Sequence, residues 1–358
     1  MAEKNPFEID FEEYIRNTEP AKKDKTYAWT TAIGLQQVDG LTPSKYLFET
    51  AKRNIEGEIT FDEAKSLIDT YYESKIERID DSQERTEEAD KVASRIAQIL
   101  SENSFNFSPS HLIAIHGRLF EGIFKFAGKL RDYDISKREW VLDGDTVMYG
   151  AAFELKMALD YDFEQERNFI YKNLSIEEIV RHITFFVSRL WQIHAFGEGN
   201  TRTTAVFTIK YLRSLGFYVN NDIFAENSWY FRNALVRANY NNLQKGIHEN
   251  HEFLEKFFRN LLMGEHNELK NRYCHIRSTE QVAINPEKSS DKVAIKRKNS
   301  DIIIDYLKQN DSIDNQKARE ITGLSSAGVR KIFTKLESDG LIAGFGENKG
   351  RYYKIKKD

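Results

Sequence analysis

Residues 194–202 read HAFGEGNTR and place a histidine, a carboxylate, two glycines, an amide and a guanidinium within nine positions. The segment lies between two stretches with helical patterns. Upstream, apolar residues recur at helical spacing across residues 176–193, and Ser175 with Glu178 is typical of a capping box. Downstream, residues 203–215 are also helical in pattern. The sequence therefore predicts a loop that leads into the N-terminus of a helix.

Such a loop offers main-chain N–H groups and the positive end of a helix dipole to an anion. Gly197 and Gly199 let the backbone approach phosphate oxygens closely. Arg202 carries paired donors for phosphate, and Glu198 is an oxygen ligand suited to Mg²⁺. His194 can accept the proton of an attacking hydroxyl near neutral pH. These residue types predict a phosphate-binding site with a base beside it.

Asn200 can donate to a phosphoryl oxygen in the transition state, so the loop as a whole describes group transfer from a magnesium-bound nucleotide to a hydroxyl. The loop resembles the signature of the Fic family, H-x-F-x-[DE]-G-N-[GK]-R. The matching residues are His194, Phe196, Glu198, Gly199, Asn200 and Arg202. Residues 127–131 (AGKLR) resemble the family's A-G-x-x-R segment, and residues 228–239 resemble its adenine-side helix. The resemblance covers roughly residues 86–272.

This resemblance implies transfer of AMP from ATP, with Mg²⁺, to a Ser, Thr or Tyr hydroxyl of a protein target, the chain itself included. His194 is then the catalytic base, Glu198 holds the metal and Phe196 anchors the loop in the core. The residues expected at the nucleotide are Gly197, Gly199, Asn200, Thr201, Arg202, Phe231 and Asn239.

Two positions depart from the family pattern. Thr201 stands where the family has Gly or Lys, and Ala205 stands where many AMP-transferring members carry a second Arg. The usual γ-phosphate contact is therefore missing. Two alternatives stay open: a Fic-fold transferase of phosphate or another nucleotide, and a nucleotide-sensing regulator that binds DNA.

Residues 31–41 (TAIGLQQVDGL) resemble the inhibitory antitoxin segment of Fic systems, [ST]-x-x-x-E-[GN]. In this register Leu35 replaces the Ser or Thr, Asp39 replaces the Glu, and Gly40 is kept. In the family the Glu pairs with the second Arg, which is Ala205 here. We therefore interpret Asp39 as an inhibitory residue in an altered or decayed switch. A plain helical cap on the core is the alternative.

The segment 131–151 is the expected target-docking flap. Asp143-Gly144-Asp145 lies between apolar stretches at residues 140–142 and 146–148, which is a strong signal for a β-hairpin. The resemblance implies that such a flap adds a strand from the target and presents its hydroxyl to His194. A surface hairpin without function is the alternative.

The C-terminal part of the chain differs in charge from the rest. Residues 286–358 hold 16 Lys and Arg against 11 Asp and Glu, a net charge of +5, which leaves −9 for the remainder of a chain whose total is −4. This part resembles the winged helix-turn-helix family, with a third helix that Ser325 can cap and a Gly-punctuated hairpin at residues 345–355. The expected DNA contacts are Arg330, Lys331, Lys335, Lys349 and Arg351. A protein-interaction or dimer module is the alternative.

We therefore expect a mainly α protein: a helical Fic core with a small β-hairpin flap and a C-terminal winged helix-turn-helix domain. The predicted domains are a helical, antitoxin-like region at 1–85, the Fic catalytic domain at 86–275, a linker at 276–298 and the winged helix at 299–358.

Composition favours a cytoplasmic protein. The only cysteine is Cys274, residues 1–10 are unlike a signal peptide, and no apolar window reaches the roughly 18 residues of a membrane span. The expected partners are a modified protein target and DNA, with no membrane and with a homo-oligomer left open.

Overall fold

The computed structural model describes residues 20–74, 81–219, 222–277 and 303–356, the last range without 305, 308–309, 311, 323–325, 339–340 and 347–350. The chain divides into two compact units, Met1–Asn285 and Pro286–Asp358. The mainly α prediction is confirmed. No described helix is both long enough and apolar enough to cross a membrane.

The first unit consists of α-helices joined by loops and short 3-10 turns. The helices are α1 Pro20–Gly34, α2 Lys45–Glu56, α3 Phe61–Glu73, α4 Asp81–Ser101, α5 Pro109–Phe120, α6 Leu155–Asn168, α7 Ile176–Ile193, α8 Asn200–Ser214, α9 Ile223–Glu226, α10 Ser228–Ala238, α11 Glu252–Met263 and α12 Asn271–Cys274. The 3-10 turns are Leu35–Asp39, Trp140–Leu142, Ala152–Glu154 and Leu243–Lys245.

Helix starts follow the capping chemistry of the sequence. The predicted capping box at α7 is confirmed, since Ser175 Oγ accepts from Glu178 N at 3.3 Å and Glu178 Oε2 accepts from Ser175 N at 2.8 Å. Helix α8 begins at Asn200, earlier than the expected residue 203, with Gly199 as its N-cap. Arg202 therefore lies in the first turn of α8 rather than in the loop before it.

The N-terminal helices and the later helices share one hydrophobic cluster. Helix α1 packs against α4, which runs across residue 85, and α4 also contacts α5 and α8. Buried Asp90 of α4 joins three helices: it accepts from Ser44 N at 2.8 Å, at the start of α2, and from the Tyr72 hydroxyl at 2.7 Å, at the end of α3. The segment that carries Asp39 is therefore fixed directly against the helices that build the loop.

The expected β-hairpin at residues 131–151 is not formed as a pair of strands. Asp143 (φ 57°) and Gly144 (φ 86°) do make the tight turn that Asp-Gly predicts, closed by Asp145 N to Leu142 O at 3.1 Å. The residues before it form the 3-10 turn Trp140–Leu142. Val141 and Leu142 are both fully buried, and a strand cannot bury two consecutive side chains on one face.

The named elements in the described part of the second unit are two helices and a three-stranded antiparallel sheet. The elements are β1 Ile313–Asp314, α13 Asn315–Thr322, α14 Ser326–Ser338, β2 Ile342–Phe345 and β3 Tyr352–Ile355, and β3 is the central strand. Phe333 of α14 stacks on Tyr353 of β3, with ring centroids 4.0 Å apart. The winged helix assignment stays a prediction. Linker residues 278–298 and Lys349 lie outside the described residues.

Candidate active site

His194 reverses the chain between α7 and the loop that follows. Its backbone is left-handed (φ 51°, ψ 54°), a conformation rare for residues other than glycine. Buried Arg131 holds this reversal: its Nε donates to His194 O at 2.8 Å and its main-chain N donates to Ala195 O at 3.0 Å. The A-G-x-x-R segment therefore fixes the direction in which the His194 side chain leaves the backbone.

The His194 imidazole is buried and has no hydrogen-bond partner for either ring nitrogen among the described residues. Its ring centroid lies 4.1 Å from that of Tyr149 and 5.3 Å from that of Trp191. Burial lowers the pKa of His194 well below its usual value, and the nearby Lys137 cation lowers it further. The imidazole is therefore neutral at pH 7, which is the form that can accept a proton.

His116 of α5 supports the loop from beneath. Its ring stacks flat on Phe196, with centroids 3.8 Å apart and an interplanar angle of 7°. Its Nδ1 accepts from Gly128 N at 2.9 Å, so Nε2 carries the proton and donates to Glu198 O at 3.1 Å. Burial lowers the pKa of His116 to about 4, which keeps this ring neutral. Nothing in the local sequence pattern marked His116 as part of the loop.

The two loop glycines are required by close aromatic neighbours. A Cβ on Gly199 would lie 2.3 Å from two ring carbons of Phe120, and its φ is +75°. A Cβ on Gly197 would lie 2.7 Å from the hydroxyl oxygen of Tyr133. The sequence explained these glycines by the approach of phosphate. Aromatic packing against the loop gives a second reason for them.

Asn200 and Thr201 face inward, which differs from the expected nucleotide contacts. The Asn200 amide accepts from Phe196 N at 2.9 Å and donates to Phe196 O at 2.7 Å, so it closes the loop on itself. Thr201 Oγ1 accepts from the Trp191 indole N–H at 2.9 Å and ties α8 to α7. Both residues are buried. Their side chains shape the site, and their polar groups are already hydrogen-bonded within the protein.

Glu198 projects from the loop, with its side chain 54% exposed and Lys137 Nζ 2.8 Å from its Oε2. Among the described residues, no group of three or more His, Cys, Asp or Glu is gathered to hold a metal ion. One exposed carboxylate still fits Mg²⁺, because this ion commonly takes one or two carboxylates together with phosphate oxygens and water. Glu198 would hold it once Lys137 moves away.

Arg202 is 1% exposed and all three guanidinium nitrogens face acceptors from the protein. Nη1 donates to Gln36 Oε1 at 3.1 Å, and Nη2 donates to Glu88 Oε1 at 2.5 Å. Nε lies 2.8 Å from Asp39 Oδ2 in an ion pair that lacks the alignment of a hydrogen bond. We name Gln36, Asp39 and Glu88 the Arg202 clamp. The sequence had singled out Asp39 alone.

Asp39 thus reaches the Arg inside the family signature, while Ala205, at the position of the second Arg, is fully buried. Gln36 and Asp39 lie in the 3-10 turn Leu35–Asp39, and Glu88 lies on α4. Arg85, one turn before Glu88, donates through Nη2 to Asp39 O at 3.0 Å. The clamp is therefore built by the 3-10 turn Leu35–Asp39 and by α4. Helix α4 supplies Glu88, and its Arg85 also holds the turn that carries Asp39.

A cleft of about 820 Å³ opens between the clamp, the loop and α10. Its charged and aromatic lining residues are Asp39, Arg85, Glu88, Phe124, Arg138, Trp140, Glu198, Arg202, Trp229 and Arg232. Arg232 lies 5.2 Å over the Trp229 ring and pairs with Glu139 at 2.7 Å. A cleft with both cations and aromatic rings can bind a polyphosphate that carries a base.

Phe231 and Asn239 do not line this cleft, and their contact with a nucleotide stays a prediction. Phe231 is fully buried, with its ring centroid 4.9 Å from that of Phe257. The Asn239 amide donates to Ser188 O at 3.1 Å and to Leu235 O at 2.9 Å. Trp229 and Arg232, three positions apart, share the face of α10 that meets the cleft. The spacing of three residues between Trp229 and Arg232 is the sequence signal that they share a helix face.

In the second unit, the side chains of Arg330, Lys331 and Lys335 are exposed on α14. Arg351 of the hairpin pairs with Glu337 at 3.3 Å. Arg330 and Arg351 line one open cavity of this unit. The structure therefore brings together at least two of the basic residues expected at DNA.

Residues 106–212 match the model of the Fic/DOC family, and this range contains the whole loop of residues 194–202. The chain thus carries a Fic/DOC domain. No curated protein sequence matches the chain significantly.

Solved structures that match the chain include the N-terminal FIC domain of the VirB-translocated effector Bep8 from Bartonella sp. 1-1C. It is 20% identical, with 52% of this chain and 88% of that chain covered and a TM-score of 0.41. The N-terminal Fic domain of a Bep effector from Bartonella sp. AR 15-3 is 21% identical. The match covers 52% of this chain and 85% of that chain, with a TM-score of 0.41. A Fic family protein from Desulfovibrio desulfuricans G20 is 12% identical. The match covers 96% of this chain and 98% of that chain, with a TM-score of 0.39.

We predict that Gly199→Ala destabilises the protein far more than Gly57→Ala. Both glycines have positive φ, but a Cβ at Gly57 meets nothing within 4 Å, whereas one at Gly199 overlaps the Phe120 ring. The expected losses are about 1 kcal/mol for the strain at Gly57 and roughly 3 kcal/mol or more at Gly199, where overpacking adds to it. Urea unfolding measures both. Equal losses would contradict the packing of the loop on Phe120.

Proposed function

We propose that the first unit transfers AMP from Mg-ATP to a Ser, Thr or Tyr hydroxyl of a protein target, the chain itself included. Fic-domain proteins typically transfer nucleotide or phosphate groups to proteins. The observation that carries the proposal is His194. A buried, neutral imidazole whose two ring nitrogens lack partners among the described residues lies four residues before Glu198 and six before Asn200, where α8 begins.

In this reaction the target hydroxyl gives its proton to a ring nitrogen of His194 as its oxygen attacks the α-phosphorus. The bond from that phosphorus to the bridging oxygen of the β-phosphate breaks, and pyrophosphate leaves. The N–H groups at the start of α8 and the Arg202 guanidinium stabilise charge on the phosphates. Mg²⁺ held by Glu198 would neutralise part of that charge.

The Arg202 clamp supports a second part of the proposal, namely that residues 35–39 and α4 inhibit transfer. Glu88 accepts from Arg202 Nη2 and Asp39 forms an ion pair at Nε, so both carboxylates lie against the guanidinium that a phosphate would use. They also place negative charge at the N-terminus of α8, where an anionic ligand is favoured. A nucleotide must therefore displace at least one of them before its phosphates reach Arg202.

Transfer of phosphate or of another nucleotide is the second candidate. It is favoured by Ala205, which is buried and supplies no cation for a terminal phosphate. AMP and phosphate adducts differ in mass, so one experiment separates the two candidates.

For the second unit we propose DNA binding through Arg330, Lys331, Lys335 and Arg351, with Lys349 as a further contact. The support is the exposed basic face of α14 and the net charge of +5 across residues 286–358. If DNA binding is the main activity and the first unit senses nucleotide, DNA affinity should respond to ATP even in His194→Ala.

We predict that intact-protein mass spectrometry after incubation with ATP and Mg²⁺ detects an AMP adduct in the Asp39→Ala, Glu88→Ala variant. Adding His194→Ala should lower the rate by about 10²- to 10⁴-fold, the usual contribution of a general base. His248→Ala, at an exposed histidine, is the control. A phosphate adduct would favour the second candidate.

Because the pKa of His194 is lowered, the base stays neutral, and the transfer rate should stay constant as pH falls through about 6.5.

We predict that releasing the clamp raises the transfer rate. Asp39→Ala, Glu88→Ala should exceed the wild-type rate by at least about tenfold, since removing both carboxylates leaves the Arg202 guanidinium open to phosphate. Glu87→Ala is the matched control, because it is the neighbouring residue on α4 and pairs with Lys91 at 2.8 Å. A rate that is unchanged in the double variant, or raised equally in the control, would rule out inhibition by the clamp.

We predict that Lys331→Ala weakens DNA binding and lowers the salt dependence by about 0.9 in log K against log salt, as for one lost phosphate contact. Fluorescence anisotropy with a labelled duplex at several salt concentrations measures both quantities. Lys317→Ala on α13 is the control, since Lys317 pairs with Glu320 at 3.1 Å. If wild type and Lys331→Ala have the same DNA affinity and the same slope of log K against log salt, Lys331 does not contact DNA.

A further inference from the structure

Four large apolar side chains lie exposed on the outer faces of α6 and α7. Phe153, in the 3-10 turn that leads into α6, is 86% exposed, and Met157 and Tyr161 follow at 65% and 56%. Met157 and Tyr161, four residues apart, lie on one face of α6, and Phe153 precedes Met157 by the same interval. Phe185 of α7 is 50% exposed. We name these four residues the apolar strip. A solvent-facing helix surface is normally polar, so the strip is an unusual feature.

The strip is continuous from α6 to α7. Arg189 of α7 bridges the two helices: its Nη2 lies 2.8 Å from Asp162 Oδ1 on α6, and its guanidinium carbon lies 5.7 Å from the centre of the Phe185 ring. Tyr161 and Phe185 line one cavity of about 380 Å³, with Phe169 as a further wall. The strip therefore ends in a recess large enough for one side chain of a partner.

Acidic residues border the strip. Glu154, at the end of the 3-10 turn before α6, and Glu164 of α6 are exposed, and neither has an ion pair among the described residues. Two basic neighbours are paired, Lys156 with Asp160 at 2.7 Å and Arg189 with Asp162, while Arg167 is exposed three residues after Glu164. This surface is complementary to a partner that combines apolar and basic side chains. It is unsuited to a second copy of itself, because Glu154 and Glu164 would then face like charges.

The strip also leads toward the candidate active site. Gln192, two residues before His194, donates through Nε2 to Met148 O at 3.2 Å and accepts from Gly150 N at 3.3 Å. Met148 is 85% exposed, and Tyr149 packs its ring against His194. The outer face of α7 thus connects the strip to the segment beside the imidazole.

We infer that the apolar strip docks a basic, amphipathic segment of a partner protein. The apolar side chains of the partner segment pack on Phe153, Met157 and Tyr161. One apolar side chain of that segment enters the recess beside Phe185. Its Lys or Arg side chains face Glu154 and Glu164. This interaction goes beyond the proposed transfer and needs no nucleotide, so it stands or fails independently of that reaction.

Fluorescence anisotropy with a labelled 18-residue peptide of Leu and Lys at amphipathic helical spacing tests this inference in the full chain. Met157→Asp should weaken binding by about tenfold or more, roughly the effect of losing one apolar anchor. Leu243→Asp is the matched control, since Leu243 is 76% exposed but lies in the 3-10 turn Leu243–Lys245, outside the strip. Glu154→Lys with Glu164→Lys should also weaken binding, while a peptide of Leu and Glu should not bind.

Three outcomes would overturn the inference. The first is no binding of the Leu and Lys peptide to the wild type. The second is an equal loss in Met157→Asp and Leu243→Asp, or equal binding of a scrambled peptide, which would indicate attraction by net charge alone. The third is a wild-type dimer in light scattering that Met157→Asp converts to a monomer, because a second copy would then occupy the strip.

Discussion

The pairing of one buried guanidinium governs the arrangement of the first unit. Arg202 is 1% exposed in the first turn of α8, at the helix end that favours anions. A buried charge is stable only when its donors are satisfied, and removing its partners costs several kcal/mol. Gln36 and Glu88 accept hydrogen bonds from the Arg202 guanidinium, and Asp39 adds an ion pair at Nε. A phosphate could also pair with this guanidinium. The clamp and the phosphates of a nucleotide would therefore compete for Arg202.

This constraint explains why the N-terminal helices belong to the same core as the loop. The turn that carries Asp39 is held by Arg85 and by the packing of α1 on α4, and Glu88 comes from α4 itself. The loop is stabilised from the other side by Arg131 and His116, which hold the main chain at His194 and Glu198. Most polar groups of the loop are thereby used internally. The His194 ring nitrogens have no partner among the described residues, and the exposed Glu198 carboxylate is paired with Lys137.

The sequence predicted the features that depend on local chemistry. The capping box before α7, the turn at Asp143-Gly144 and the loop ahead of α8 all follow from residue types at short spacing. It failed where tertiary packing decides. The expected hairpin strands are replaced by a 3-10 turn because Val141 and Leu142 are both buried, and Phe231 lies in the core because Trp229 and Arg232 share the outward face of α10. Glu88 was missed because only the fold brings residue 88 to Arg202.

The competition between the clamp and phosphate for Arg202 is tested most directly by calorimetric titration with ATP and with adenosine. Wild type should be compared with Asp39→Ala, Glu88→Ala. If the clamp occupies the phosphate site, the variant binds ATP at least about tenfold more tightly, while the affinity for adenosine is unchanged. Equal ATP affinity in the two proteins, or an equal gain for adenosine, would contradict the account.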